Sequence, residues 1–368
     1  MNRRQFISSS GAAAAALSSG STTQTASAAP AAPAKRALMK LGTETQLGDA
    51  RLKSLARYGL KNVGGAPPRA EGSVWPALDD LKRGREAAEK NGISYDIVTP
   101  PILASSQIDR ERHPAIMLAE SPERDRDIEQ LQTLVKNCAA AGIPAFKYNM
   151  SILGVLRLPA RVPGRGDATY SAWNFKEAHP ATPLTKAGRV TADRFWERIT
   201  YFLERMVPVA EEYKIRMACH PQDPGVPPEG YQGVDRVLGT VDGLKKFLSI
   251  KESPYHGLNF CQGTVSEMLQ DPGKEILDVI RYFGSRKKIF NVHFRNIRGH
   301  RDNFVEVYPD EGDVNFVKAI QVYKEVDYSG MLMPDHVPQA PDDPGGQQSF
   351  AFCFGYIRAL IQAVDQMG

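Results

Sequence analysis

Residues 257–263, GLNFCQG, read as a buried strand that ends in Cys261 and turns at Gly263. Working outward, the same unit recurs. From residue 37 onward, short apolar, β-favouring runs alternate with longer segments of helical period. Strands are predicted at 37–42, 60–65, 94–100, 144–150, 215–221, 257–263, 289–296 and 330–336. Between them lie helical stretches such as ERDRDIEQLQTLVKNCAAAG and TADRFWERITYFLERMVPVAEEY. Several of these end in Gly, where a helix C-terminus wants a residue able to adopt positive φ. Eight strand-helix units in strict alternation are the arithmetic of a (β/α)8 TIM barrel, whose usual size is ~250 residues before insertions. The expected fold is therefore α/β, one barrel domain over 37–368. The surplus length sits mainly in a Pro- and Gly-rich excursion at 151–188, an insertion after the fourth strand. A doubly wound open sheet is the competitor, but no glycine-rich phosphate loop follows the first strand. No internal repeat of solenoid period is present.

The composition of the 368 residues, 42% hydrophobic and 24% charged, is that of an ordinary folded protein. The first thirty residues differ. NRRQFI at 2–7 sets paired arginines before a short apolar run, GAAAAALSSG, and ASA at 26–28 offers a small-residue cleavage site. The apolar run falls far short of the ~20 residues needed to span a bilayer. Residues 1–28 are expected to be a twin-arginine signal peptide, with 29–36 as a linker. The alternative is a disordered basic tail followed by an alanine helix. Export would leave a periplasmic or extracytoplasmic protein with no membrane attachment. The formal net charge of +4 falls to +2 once Arg3 and Arg4 are removed, too little for a polyanion partner. No Lys/Arg block with interleaved aromatics suggests nucleic acid. The oligomeric state is left open, a homo-oligomer being compatible with the sequence.

In a TIM barrel the catalytic groups gather at the C-terminal ends of the strands. In the second half those positions hold His220, Cys261, His293 and Asp335, one from each of four consecutive strands. Two imidazoles, a thiolate and a carboxylate suit a divalent transition metal such as Zn, Fe(II), Mn(II) or Co. The four cysteines, Cys138, Cys219, Cys261 and Cys353, are too widely and irregularly spaced for a small disulfide scaffold. A metal would keep Cys261 unpaired, and a twin-arginine substrate folds, and so can acquire its metal, before export. If His220 faces the barrel axis, Cys219 faces the surrounding helices. Taken alone, each residue is weak evidence, because strand histidines and buried cysteines are commonly structural. Four successive strand ends together carry more weight. His113 and His179 precede prolines in loops, His256 begins the sixth strand at the opposite end, and His300 is read as part of the loop after the seventh. His336 has a near-neutral pKa suited to acid-base work beside the metal, or is an ordinary loop histidine before Val337 and Pro338. Arg295, on the same face as His293, would grip a substrate carboxylate or form an ion pair inside the barrel.

CHPQDP, GLNFCQG, VHFRNI, the stretch from Phe304 to Phe316 and PDH together resemble the mannonate dehydratase family of xylose isomerase-like barrels, most clearly over 215–337. The resemblance implies metal ligands at His220, Cys261, His293 and Asp335, with Mn(II) or Fe(II) as the metal. It implies proton transfer by His336 and places Arg295 near the substrate. The implied reaction removes water from D-mannonate to give 2-keto-3-deoxy-D-gluconate. Departures fall on the substrate side: Met333 stands where the family commonly has arginine, and the loops GGAPPRAEG and TPPILASS lack the family's histidines. The expected function is thus a metal-dependent dehydratase acting on a sugar acid. The alternatives are a sugar isomerase or epimerase using the same enolising chemistry, and an inactive carbohydrate-binding relative.

Overall fold

The computed structural model describes residues 35–178 and 183–367. The expected signal peptide, most of the expected linker and His179 lie outside the described residues. The last two residues of that linker are tied to the barrel. Lys35 pairs with Asp327 at 2.8 Å, and Arg36 with Asp365 at 2.8 Å.

Eight parallel strands close into a barrel. They are β1 (Lys40–Glu44), β2 (Asn62–Gly65), β3 (Ser94–Val98), β4 (Ala145–Asn149), β5 (Arg216–His220), β6 (His256–Cys261), β7 (Ile289–His293) and β8 (Met331–Met333). Closure comes from β1 lying beside β8, with Lys40 opposite Met331 and Leu41 opposite Leu332. The strands are covered on both faces: all six residues of β6 are buried, as are all five of β4 and β7. Alternation divides the core. Ile97, Ala145, Ala218, Phe290, Met331 and Met333 cluster inside the barrel. Cys219, Leu258, Phe260 and Val292 pack outward with Phe202, Phe247 and Phe283 of the helices. The covering helices start and stop on local signals. Thr240 accepts the Gly243 N–H at 3.0 Å to open Val241–Ile250, and Gly142 at φ +72° closes Glu123–Ala141. Among the described residues, no helix is long and apolar enough to cross a membrane.

The excursion after β4 carries structure of its own. Val162–Pro163 and Thr169–Tyr170 form a small antiparallel pair, and Ala172–Asn174 joins Asn303–Val307 in a second sheet. The third strand of that sheet, Asn296–His300, is antiparallel to Asn303–Val307. Three expectations are corrected here. The seventh strand ends at His293, because the chain turns there into this hairpin; His300 closes a hairpin strand instead of sitting in a loop; and the first strand runs on to Glu44.

His256, fully buried at the start of β6, meets the edge of Phe247 at a centroid distance of 4.6 Å. Its Nδ1 donates to the Lys251 carbonyl at 2.9 Å. Burial pulls its pKa down to about 4. The unfolded chain takes up this proton near pH 6.5, so stability falls as pH drops from 6.5 toward 4. Urea unfolding should show the wild type losing roughly 2.5 kcal/mol more than His256→Gln between pH 7 and 4.5; equal losses would contradict a buried neutral imidazole.

Candidate metal centre

Parallel register brings the ends of β5 to β8 level. Cys261 lies beside His293, and His293 beside Met333, two residues before Asp335. One donor atom each from His220, Cys261, His293 and Asp335 lies within 4.8 Å of all the others. The two rings stand 5.0 Å apart at 56°. Asp335 Oδ1 is 3.3 Å from His293 Nδ1, and Oδ2 is 3.6 Å from Cys261 Sγ.

The donor set fits a single divalent transition ion. The His220 Nδ1 is 2.6 Å from the Pro221 carbonyl, which can only accept, so Nδ1 carries the proton and Nε2 is left with its lone pair. Burial pulls the His220 pKa down, which keeps the ring neutral as ligation requires. His293 is 2% exposed, and neither ring nitrogen makes an aligned hydrogen bond, the nearest oxygen being Asp335 Oδ1 at 3.3 Å from Nδ1. Buried polar groups are otherwise almost always satisfied. Burial lowers the His293 pKa, but Asp335 outweighs it and holds it up. Burial raises the Asp335 carboxyl, but His336 and His293 outweigh it and hold the group well below the usual carboxylate range. Cys261 is a free thiol whose sulfur accepts from the Thr264 hydroxyl at 3.1 Å and the Thr264 N–H at 3.4 Å. A sulfur, two imidazoles and a carboxylate together select a transition metal over Mg or Ca. Cys219, one residue before His220, packs outward in the core and does not join the cluster.

A shell of charge surrounds the four donors. Arg295, 3% exposed, donates through Nη1 to Glu267 and Glu306, each at 2.7 Å, and through Nη2 to Asp223 at 3.1 Å. Its Nε lies 3.5 Å from Asp335 Oδ2. Of its two sequence readings, the structure displays the internal ion pair. Gly263 makes this possible: a Cβ there would sit 2.7 Å from the Arg295 guanidinium carbon. Arg157, from the excursion, pairs with Asp223 at 2.6 Å and also reaches Glu267 and Glu306. Burial and Asp223 push the Glu267 carboxyl well above its ordinary range, the two arginines notwithstanding. His336 Nδ1 is 2.7 Å from Glu306, and its side chain is 35% exposed, so the ring meets solvent at the mouth. Burial lowers the His336 pKa, but Asp335 and Glu306 outweigh it and drive it up to about 10.

On the far side, Glu44 at the end of β1 accepts from Lys147 at 2.7 Å and Thr99 at 2.8 Å, with Oε2 4.0 Å from His293 Nε2. Burial raises its carboxyl, but Lys147 and His293 bring it down to about 2. Sequence reading named none of Glu44, Lys147, Arg157, Asp223, Glu267 and Glu306. A first strand carried two residues further would have found Glu44, and Asp223 lies only three residues past His220. Nothing in the Pro- and Gly-rich excursion marks Arg157.

A closed parallel barrel with four metal-type donors on consecutive strand ends defines a class: barrels equipped to hold a transition metal at the C-terminal mouth. The chain belongs to the D-mannonate dehydratase (UxuA) family, whose model matches residues 181–368. It is 26% identical over 334 residues to a mannonate dehydratase of Thermotoga petrophila, covering 80% of this chain and 88% of the relative. A mannonate dehydratase of Shouchella clausii is 29% identical over 301 residues, covering 73% and 79%. In structure the chain resembles the mannonate dehydratase from Streptococcus suis serotype2, with TM-score 0.75 and 22% identity over 89% of this chain and 95% of that one. A xylose isomerase domain protein from Planctomyces limnophilus shares the fold at TM-score 0.57 and 12% identity, over 89% of this chain and 99% of that one.

Proposed function

We propose that this chain is a metal-dependent hydro-lyase that removes water from a sugar acid, with D-mannonate as substrate and 2-keto-3-deoxy-D-gluconate as product. The observation that carries the reading is the convergence of His220, Cys261, His293 and Asp335 within one ion's reach, in a chain of the mannonate dehydratase family. These four residues would hold the ion, Mn(II) or Fe(II) by the family resemblance. When bound, such an ion supplies positive charge that eases loss of the proton next to a substrate carboxylate.

The chain's own residues divide the remaining work. His336 is the acid-base group: Glu306 holds its Nδ1 at 2.7 Å, and the ring is partly open to solvent. From there it can take the proton lost beside the carboxylate and deliver a proton to the hydroxyl that leaves the neighbouring carbon, so that one water departs. Arg295 keeps Asp335 and Glu306 in place, so the ligand end and the acid end of the site share one anchor. Arg157 closes the same network from the excursion.

Export by the twin-arginine route forms part of the proposal, supported by NRRQFI and ASA. N-terminal sequencing of the exported form should find Ala29 first; retention of Met1 would contradict it. Mn(II)-loaded protein given D-mannonate should yield the keto-deoxy acid, and His336→Gln should lower kcat by roughly 10²–10⁴ with metal content unchanged. Metal-replete protein without turnover would point to a different sugar acid, and a product of unchanged mass to isomerisation.

A further inference from the structure

Lys147 is the cation of the site that the preceding account leaves without a task. It lies on the inner face of β4, in register with Ala218, two residues before Asn149, which is opposite His220. Lys147 is 9% exposed. An ammonium carries three donors and no acceptor. Among the described residues its one hydrogen-bond partner is Glu44 Oε2, at 2.7 Å. Two donors are therefore unclaimed on a charge that is nine-tenths buried, a costly arrangement unless other oxygens reach it.

The position of those donors is set by the oxygen they share. Glu44 Oε2, which accepts from Lys147, is also 4.0 Å from Nε2 of His293, one of the four metal-type donors. The Glu44 side chain is 31% exposed, so the pair opens toward the solvent side of the mouth. The other cations near the centre are committed. Arg295 touches Glu267, Glu306, Asp223 and Asp335, and Arg157 touches Asp223, Glu267 and Glu306. Besides His336, whose Nδ1 is held by Glu306, an anion entering the mouth finds Lys147 beside the donor cluster with two donors still to give.

Resting on the sugar-acid reading above, we infer that Lys147 receives the substrate carboxylate beside the metal donors, and that Glu44 is a positioning residue holding the ammonium upright. Arg295, the sequence candidate for that grip, has both Nη groups on the chain's own carboxylates and its Nε turned to Asp335. An ammonium is a compact point charge that accepts an oxygen from any approach, which suits a carboxylate that must also face a metal. The ligand class this selects is an aldonate, and a neutral polyol of the same carbon chain gains nothing from it.

Removing Lys147 alone would strand Glu44, so the informative pair is Glu44→Gln and the double variant Glu44→Gln/Lys147→Met, in which both charges go together. Calorimetric titration of the Mn(II)-loaded proteins with D-mannonate and D-gluconate, and with D-mannitol as neutral probe, reads the effect without turnover. E44Q should bind an aldonate, and the double variant should bind it at least about tenfold more weakly, one charge-assisted hydrogen bond's worth. Metal content and the response to D-mannitol should be the same in both, and Lys147→Arg in the E44Q background should recover part of the aldonate affinity. Equal aldonate affinity in the two variants, or no aldonate binding by wild type, overturns the inference. Lys147-dependent binding without turnover would retire the dehydratase reading and leave this one standing; turnover with equal affinities would do the reverse.

Discussion

The site depends on a problem of crowding. Two imidazoles, a sulfur and a carboxylate stand within 4.8 Å of one another at the mouth of a barrel, where water cannot separate them. Such a group is stable only if a positive charge is shared among its members or a second shell restrains them. Both devices are visible. His293 is buried with neither ring nitrogen in an aligned hydrogen bond, and Arg295 Nε stands 3.5 Å from Asp335 Oδ2 on its outer side. Arg295 can reach it only because Gly263 has no side chain. GLNFCQG closes not in the expected turn but in a short helix, Gln262–Ser266, whose glycine leaves room for the arginine.

The outer shell also explains what the excursion after β4 is for. Arg157 leaves it to meet Asp223 after β5, Glu267 after β6 and Glu306 in the hairpin after β7. The excursion's strand Ala172–Asn174 extends that same hairpin as a sheet. One ion network and one small sheet therefore tie the insertion to the loops of its own barrel, directly above the donors. Glu306 accepts from both arginines and from His336, so the orientation of the proposed acid and the seating of the excursion are coupled through a single carboxylate.

Much of this was readable in the sequence, for reasons that also mark the limits. Barrel strands alternate with helices at a period that local apolar runs report directly, so all eight were placed to within a few residues. The four side chains that come together were named, because a strand end is a position that spacing can identify, although Asp335 lies two residues beyond its strand. Glu44 was missed through a strand end misjudged by two residues, and Lys147 because a lysine inside an apolar strand looks the same whether its head faces solvent or the barrel axis. The shell of Arg157, Asp223, Glu267 and Glu306 joins loops 149 residues apart in the chain, a distance over which periodicity carries no information. Arg295 was identified, but whether its partners were substrate or protein depended on those unseen carboxylates.

The central claim is that Cys261 ligates the ion with His220, His293 and Asp335. X-ray absorption at the metal edge of the Mn(II)-loaded protein tests it most directly. One sulfur scatterer should appear in the first shell together with imidazole nitrogens, and it should vanish in Cys261→Ser while surviving in Cys219→Ser. A shell of nitrogen and oxygen alone in the wild-type protein would contradict the account.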